Sequence, residues 1–354
     1  MNRKSSRENL GSCPRPLNNF STIQLAHGSG GRLTADLITE IFLKAFDNPA
    51  LNKQNDQAIV EVQGVKVAFT TDSFVVDPIF FPGGDIGDLA VNGTINDLCM
   101  CGAKPLFLSA GLIIEEGLPI DDLQKIIASM QRAAAVAGVE IVTGDTKVVD
   151  KGKGDKIFVN TSGIGVVEHD FTVSADNLKL GDVLIISGTI ADHGMAILSR
   201  REGLSFESPI VSDTAALNSL VELIMQTAGS ALHAMRDPTR GGVAATLNEF
   251  ASSSKVNIRV QEDTIPILPA VAGACELLGL DPLYVANEGK LVAAVEEPVA
   301  QRVIEVMRHH PLGRKATVIG RVEADHPGRV TLKTRLGTER MVDMPTGEQL
   351  PRIC

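Results

Sequence analysis

The chain closes on a cysteine, in Pro351-Arg352-Ile353-Cys354. A terminal residue has few neighbours and sits on an arm that moves easily. That is a poor place for a packing cysteine. It suits a thiol that is loaded at one site and processed at another. Three carboxylates end or follow apolar segments in the first half: Asp72 in Thr70-Thr71-Asp72-Ser73, Asp97 in Asn96-Asp97-Leu98 and Asp145 in Thr143-Gly144-Asp145. Placed just past buried strands, such groups are held rigidly at the rim of a sheet. Three converging carboxylates suit Mg²⁺, a hard cation that takes oxygen ligands and bridges phosphates. Each of them alone serves equally as a turn or helix cap, and spacing by itself does not bring the trio together.

Two loops offer backbone N–H groups to an anion. His27-Gly28-Ser29-Gly30-Gly31-Arg32 precedes a helical pattern, and Arg236-Asp237-Pro238-Thr239-Arg240-Gly241-Gly242 opens another. Glycine lets backbone approach phosphate oxygens, and a helix N-terminus favours anions. The first loop lacks the Gly-Lys-Ser/Thr of a Walker loop, and a plain turn explains it as well. Asp237 or Thr239 serves equally as a helix N-cap. Lys147 and Glu288 are isolated charges in expected loops, where surface charge needs no explanation. Cys99 and Cys101 have no second pair at metal-binding spacing and read as packing residues of a helix.

The chain has 354 residues, 44% of them hydrophobic, which allows two domains with separate cores. Only 4% are aromatic, and the balance of 33 basic to 43 acidic residues argues against a nucleic-acid surface. No apolar run reaches the ~20 residues of a membrane span. Met1 to Asn19 lacks the apolar core of a secretory signal and reads as a disordered extension. Five cysteines, with Cys13 and Cys275 completing the set, are then expected to be free thiols in a cytoplasmic protein.

Helices are expected over residues 33–46, 85–101, 120–137, 213–228 and 241–252. Strands are expected over 58–62, 64–70, 105–114, 139–142, 158–167, 183–187, 256–260, 291–295 and 317–322. Asp72 then follows a strand directly, and Thr143 to Lys147 form a loop. The alternation predicts an α/β or α+β chain. Its expected parts are an extension over 1–20, an N-terminal domain over 21–175, a C-terminal domain over 176–325 and a tail over 326–354. Gly337, Pro345 and Gly347 are candidate hinges.

Together these motifs resemble a family. Asn96-Asp97-Leu98 with Gly102-Ala103-Lys104-Pro105-Leu106, Asp72 before it and Gly144-Asp145 after it are similar to the aminoimidazole ribonucleotide synthetase (PurM-like) ATP-binding superfamily. Within that superfamily, further pieces resemble the HypE family of hydrogenase maturation carbamoyl dehydratases. They are His27 to Gly31, Thr70 to Ser73, Gly144-Asp145-Thr146-Lys147, Asp192-His193-Gly194, Asp237 to Gly242, Asn287-Glu288-Gly289-Lys290 and the terminal tetrapeptide. The resemblance implies a two-domain PurM-like fold. Its N-terminal domain pairs in a homodimer to make a barrel-like core, and a flexible tail carries Cys354. It implies that the carbamoyltransferase HypF places a carbamoyl group on Cys354, and that ATP drives its dehydration to a thiocyanate. The cyano group then passes to iron on a HypC–HypD complex, as a ligand of [NiFe]-hydrogenase. Mg²⁺ and ATP would be held by Asp72, Asp97 and Asp145, with Gly28, Gly30, Gly31, Thr71, Asn96 and Gly144. Glu288 is the candidate base and Lys147 the candidate partner of the activated oxygen. Two other readings stand beside this one. A selenophosphate synthetase-like enzyme would want Cys and Lys in the glycine-rich loop, which has neither. A non-catalytic scaffold would only dock its tail.

Overall fold

The computed structural model describes residues 20–204, 206, 209–346, 350 and 352–354. Residues 1–19 with Cys13, the candidate hinge Gly347 and Pro351 lie outside the described residues. Two mixed sheets, each with helices on it, make two α/β halves.

The N-terminal half opens with helical backbone over residues 32–46. It comprises α1 (Arg32–Leu37), a wider π turn (Ile38–Phe42) and α2 (Leu43–Phe46). Strands β1 (Ala58–Val62) and β2 (Val65–Phe74) form the expected hairpin. β2 runs four residues past its expected end, because its pairing with a later strand continues to Phe74. Asp72 therefore lies inside a strand, not after one. A short ribbon, β3 (Phe80–Phe81) with β4 (Gly84–Asp85), leads into α3 (Ile86–Cys99). Asp85 caps that helix by accepting from the Gly87 and Asp88 N–H groups. α3 is buried almost all round, and Gly93 is glycine because a Cβ there would sit 2.9 Å from the Phe74 ring. β5 (Lys104–Glu115), α4 (Ile120–Ala137), β6 (Glu140–Val149) and β7 (Ile157–Val166) follow. α4 matches its expected span and ends on Gly138 in the left-handed region, φ 70°. β6 was expected to stop at Val142. It continues to Val149 because it pairs with β5 along its whole length. Thr143 to Lys147 are therefore strand, not loop.

The first sheet runs β1-β2-β7-β5-β6. α3 and α4 cover one face. The other face is open, and it exposes Val60, Val62, Val65, Phe69, Phe107, Ile113 and Ile164. In this chain it is an open sheet rather than a closed barrel.

The second half contains β8 (Val183–Ile186), α5 (Asp192–Arg201), α6 (Asn218–Ala228), β9 (Leu232–Arg236), α7 (Gly242–Ser254), β10 (Asn257–Gln261), α8 (Pro269–Leu278), β11 (Val292–Val295), α9 (Glu297–His309), β12 (Thr317–Glu323), β13 (Arg329–Lys333) and β14 (Glu339–Met341). α5 was not among the expected helices. α6 starts five residues later than expected, since Asn92 and Asn96 of α3 hold Thr214, Ala215 and Leu217 outside the helix. The sheet order is β14-β13-β10-β12-β8-β11-β9. Its central strands β8 and β11 are buried throughout, as short continuous apolar runs require. β13 and β14 extend this sheet past residue 325, because Val330 and Leu332 bury their side chains in its core. No helix among the described residues is long and apolar enough to cross a membrane.

Candidate active site

Asp97, on the last turn of α3, meets Asp237 and Asp56. Asp237 follows β9, and Asp56 stands just before β1. Carboxylate oxygens of the three lie within 4.8 Å of one another. The Thr70 hydroxyl is 2.9 Å from the Asp97 carboxylate and 2.8 Å from the Asp56 carbonyl. Asp72, two residues along β2, points to the same α3-facing side of the sheet. Arg236 pairs with Asp56 at 2.7 Å and with Glu249 at 2.9 Å, closing one wall. A groove of about 570 Å³ passes these groups, Gly30 and Gly31. That volume is within the range of small-molecule sites.

Crowding like charges out of water disfavours ionisation. Burial, then Asp237, Asp56 and Asp72, holds the Asp97 carboxyl well above the ordinary carboxylate range. Burial and Asp56 do the same to Asp237. Burial raises Asp56 and Asp72 as well, against the opposing pull of Arg236 on the first and Arg240 on the second. One Asp237 oxygen, Oδ2, is buried with no hydrogen-bond partner.

The two glycine loops pack on each other at the groove's mouth. Arg240 donates to the Gly28 carbonyl at 3.0 Å. The Arg32 N–H donates to Pro345 at 2.8 Å, and a Cβ on Gly31 would fall 2.3 Å from that same carbonyl oxygen. Beyond Arg240 is a smaller pocket lined by Gly28, Ser73, Arg240, Ala286, Ile353 and Cys354. The terminal segment is thus docked inside the molecule. Val75 N–H donates to Cys354 at 3.0 Å and Asp77 N–H to Arg352 at 3.3 Å. Arg201 and the Arg352–Asp155 ion pair hold the segment from the side. Burial pushes the Cys354 thiol far up, with Arg240 opposing and Glu288, Asp72 and Asp97 adding to it.

Glu288 is buried, with its Oε1 unpartnered. Burial, then Asp237, Asp72 and Asp213, raises its carboxyl well above the ordinary value. Its backbone is fixed at both ends: N–H to Asp213 at 3.2 Å, and carbonyl from the Asn96 amide at 3.0 Å. Burial would raise Asp213, but Lys290 at 3.0 Å, His193 and the Glu288 N–H together hold it below its usual value.

Other expected residues stand elsewhere. Asn96 spends its amide on Ala215, Leu217 and Glu288, so it pins the second half rather than facing the groove. Gly144 is required by close strand packing, since a Cβ would meet the Ala110 oxygen at 2.4 Å. Thr71 accepts from Ser162 on the open sheet face, yet it also lines the groove, as expected. Asp145 is aligned with Gly111, Asn160 and Ser73 in a row across the sheet. Side chains alternate faces with period two, so Asp145 and Lys147 lie on the open face, opposite Asp72. They are exposed and pair with each other at 2.7 Å. Within one chain Asp145 does not join Asp72 and Asp97, although that set was expected to bind metal together. Asp56 was missed because it precedes a strand within a polar loop, and nothing in its spacing marks it. Asp237 and Arg240 stood in a recognised loop, but their convergence with Asp97 needs both halves.

The fold and the carboxylate groove define the AIR synthase-related class. Residues 54–167 match its N-terminal domain and 179–333 its C-terminal domain. The carbamoyl dehydratase HypE of Bradyrhizobium diazoefficiens is 53% identical over 332 residues, 94% of this chain and 96% of the relative. A solved HypE–HypF complex superposes with TM-score 0.83 at 52% identity, covering 87% of this chain and 99% of the other. HypE solved in complex with ATP gives TM-score 0.80 at 49% identity, covering 94% and 100%. The chain belongs to the HypE family of carbamoyl dehydratases.

Proposed function

We propose that this chain is an ATP-dependent carbamoyl dehydratase acting on a carboxamide carried by its own Cys354. The observation that carries this is the docked terminal thiol, which shares a pocket with Arg240 at the mouth of the carboxylate groove and feels the charge of Glu288. A similar protein was solved in complex with ATP; we read ATP into this groove, its phosphates toward the Gly28–Gly31 loop and Arg240, because glycine N–H groups and a guanidinium suit phosphate oxygens. The carboxamide oxygen attacks the γ-phosphorus and ADP leaves. The two N–H protons are then lost, phosphate departs with the oxygen, and S–C≡N remains. A poor leaving group becomes a good one, and positioning does most of the work. In its ionised form Glu288 is the base for an N–H proton, and its raised proton affinity makes that carboxylate a stronger base. Arg240 balances charge on the transferring phosphoryl group.

The carboxylates fit Mg²⁺. Asp56, Asp97 and Asp237 supply hard oxygen donors, and the orphaned Asp237 oxygen is a buried acceptor lacking a cation or donor. Asp72 lies next to this set. When bound, the metal would neutralise phosphate charge. This ligand set replaces Asp145 by Asp56 and Asp237.

A second copy is read onto the open face of the first sheet, whose exposed apolar side chains exceed what a lone soluble face carries. The homodimer would bring a further Asp145–Lys147 pair to that face. HypF, present with a similar protein in a solved complex, is the read loading partner. A HypC–HypD complex is the read acceptor, and the reducing cytoplasm the compartment, in keeping with free Cys99, Cys101, Cys275 and Cys354. Carbamoylated chain with Mg²⁺ and ATP should lose the mass of one water from its C-terminal peptide. ATP hydrolysis without that loss would overturn the reading.

A further inference from the structure

We infer that His193 is the positioning residue that docks the terminal segment for reaction, setting the sulfur against Glu288 through the 212–214 segment. The proposed reaction gives Asp192-His193-Gly194 no role. Yet His193 is fully buried at the start of α5, 0% exposed. Its Nε2 lies 2.8 Å from the Ile353 carbonyl oxygen, one residue from Cys354. A carbonyl only accepts, so Nε2 carries the hydrogen. Nδ1 then accepts from Ser212 Oγ at 2.7 Å, and that oxygen accepts from the Thr214 N–H at 3.1 Å. The Phe81 ring packs edge-on at 5.5 Å. Gly194 has no room for a side chain, as a Cβ would meet Val285 at 2.5 Å and Leu350 at 3.3 Å. α5 can therefore press against the terminal segment.

The same short segment carries Asp213, which accepts the Glu288 N–H and the Lys290 ammonium. Asn92 donates to Thr214 at 3.1 Å. The terminal segment and Glu288 thus hang on one bracket. Arg352 and Cys354 are held to the first half through Val75 and Asp77, and the Arg352 carbonyl is held to α5 by Arg201, two residues before the sulfur's own residue. Loss of His193 would loosen the sulfur from Glu288 while leaving those contacts in place.

The consequence for dehydration rests on the proposed function; the docking itself does not. In the full chain carrying Cys13→Ser, Cys354 is the only described thiol that is not buried, so its reactivity with a thiol reagent reports undocking. His193→Ala should raise that rate roughly fivefold or more, the value of one lost hydrogen bond. Dehydration of carbamoylated chain should slow by at least as much, with loading by HypF unchanged or faster. His193→Gln, which still offers one N–H to Ile353, should recover most of both. Unchanged Cys354 reactivity in His193→Ala would overturn the inference, as would loading and dehydration falling together. If His193→Ala loses its cooperative melt, Ser212→Ala decides: it should raise reactivity in the same direction, and no rise overturns the inference. A wild-type chain that never dehydrates refutes the proposed function, while the thiol rates still decide the dock.

Discussion

At the scale of single residues, the site is governed by carboxylates that burial makes reluctant to ionise. Glu288→Gln should keep ATP affinity within about threefold and lower dehydration by 100-fold or more, the usual weight of general-base help. Single-turnover mass spectrometry would separate this from a binding defect, and equal losses in both would remove Glu288 from the base role. Cys354→Ala should abolish carbamoylation yet leave ATP binding largely intact by calorimetry. Loss of ATP binding there would make the segment structural. Asp97 has the opposite sign from a salt-bridged acid. Its folded pKa is raised above the unfolded value, so the metal-free folded chain binds more protons. Its stabilising contribution is full below the ordinary carboxylate range and is lost as pH rises through the folded value. As pH rises above the ordinary carboxylate range, metal-free wild type should therefore lose stability relative to Asp97→Asn. Mg²⁺ should reverse the difference by supplying the missing charge. Parallel melting curves without metal would show that Asp97 is not held in this way.

At the scale of elements, the site depends on close approaches that only glycine permits. A Cβ on Gly289 would lie 1.8 Å from the Asp213 carbonyl oxygen. Gly289→Ala should displace Glu288 and cost dehydration at least tenfold, with ATP affinity nearly unchanged because the groove is untouched. Unimpaired dehydration in that variant would mean that Glu288 needs no fixed backbone. The elements were also where spacing misled. Local alternation ended β2 and β6 early, since polar Thr and Asp break an apolar pattern. Pairing with β7 and β5 carries both strands on. That extension placed Asp72 and Asp145 on opposite faces of one sheet, which no window of local sequence encodes.

At the scale of the whole molecule, the first half presents an unpaired apolar sheet face and the second half supplies Asp237, Arg240 and Glu288. Phe69→Glu, on that face, should weaken self-association at least tenfold and shift the mass in sedimentation to one chain. A wild-type chain that already sediments as a monomer would remove the second copy. The sequence by itself determined the two α/β halves, the family, the terminal thiol, the glycine loops and Asp72, Asp97 and Glu288, because each leaves a local pattern or motif. Tertiary structure alone decided that Asp56 and Asp237 join Asp97, that Asn96 and Gly144 serve packing, that Asp145 and Lys147 face away, and that His193 grips the terminal segment. Those facts turn on residues far apart in the chain meeting across two domains, and on which face of a strand each occupies. Such long-range contacts are fixed by burial and pairing of the whole, not by neighbours in sequence.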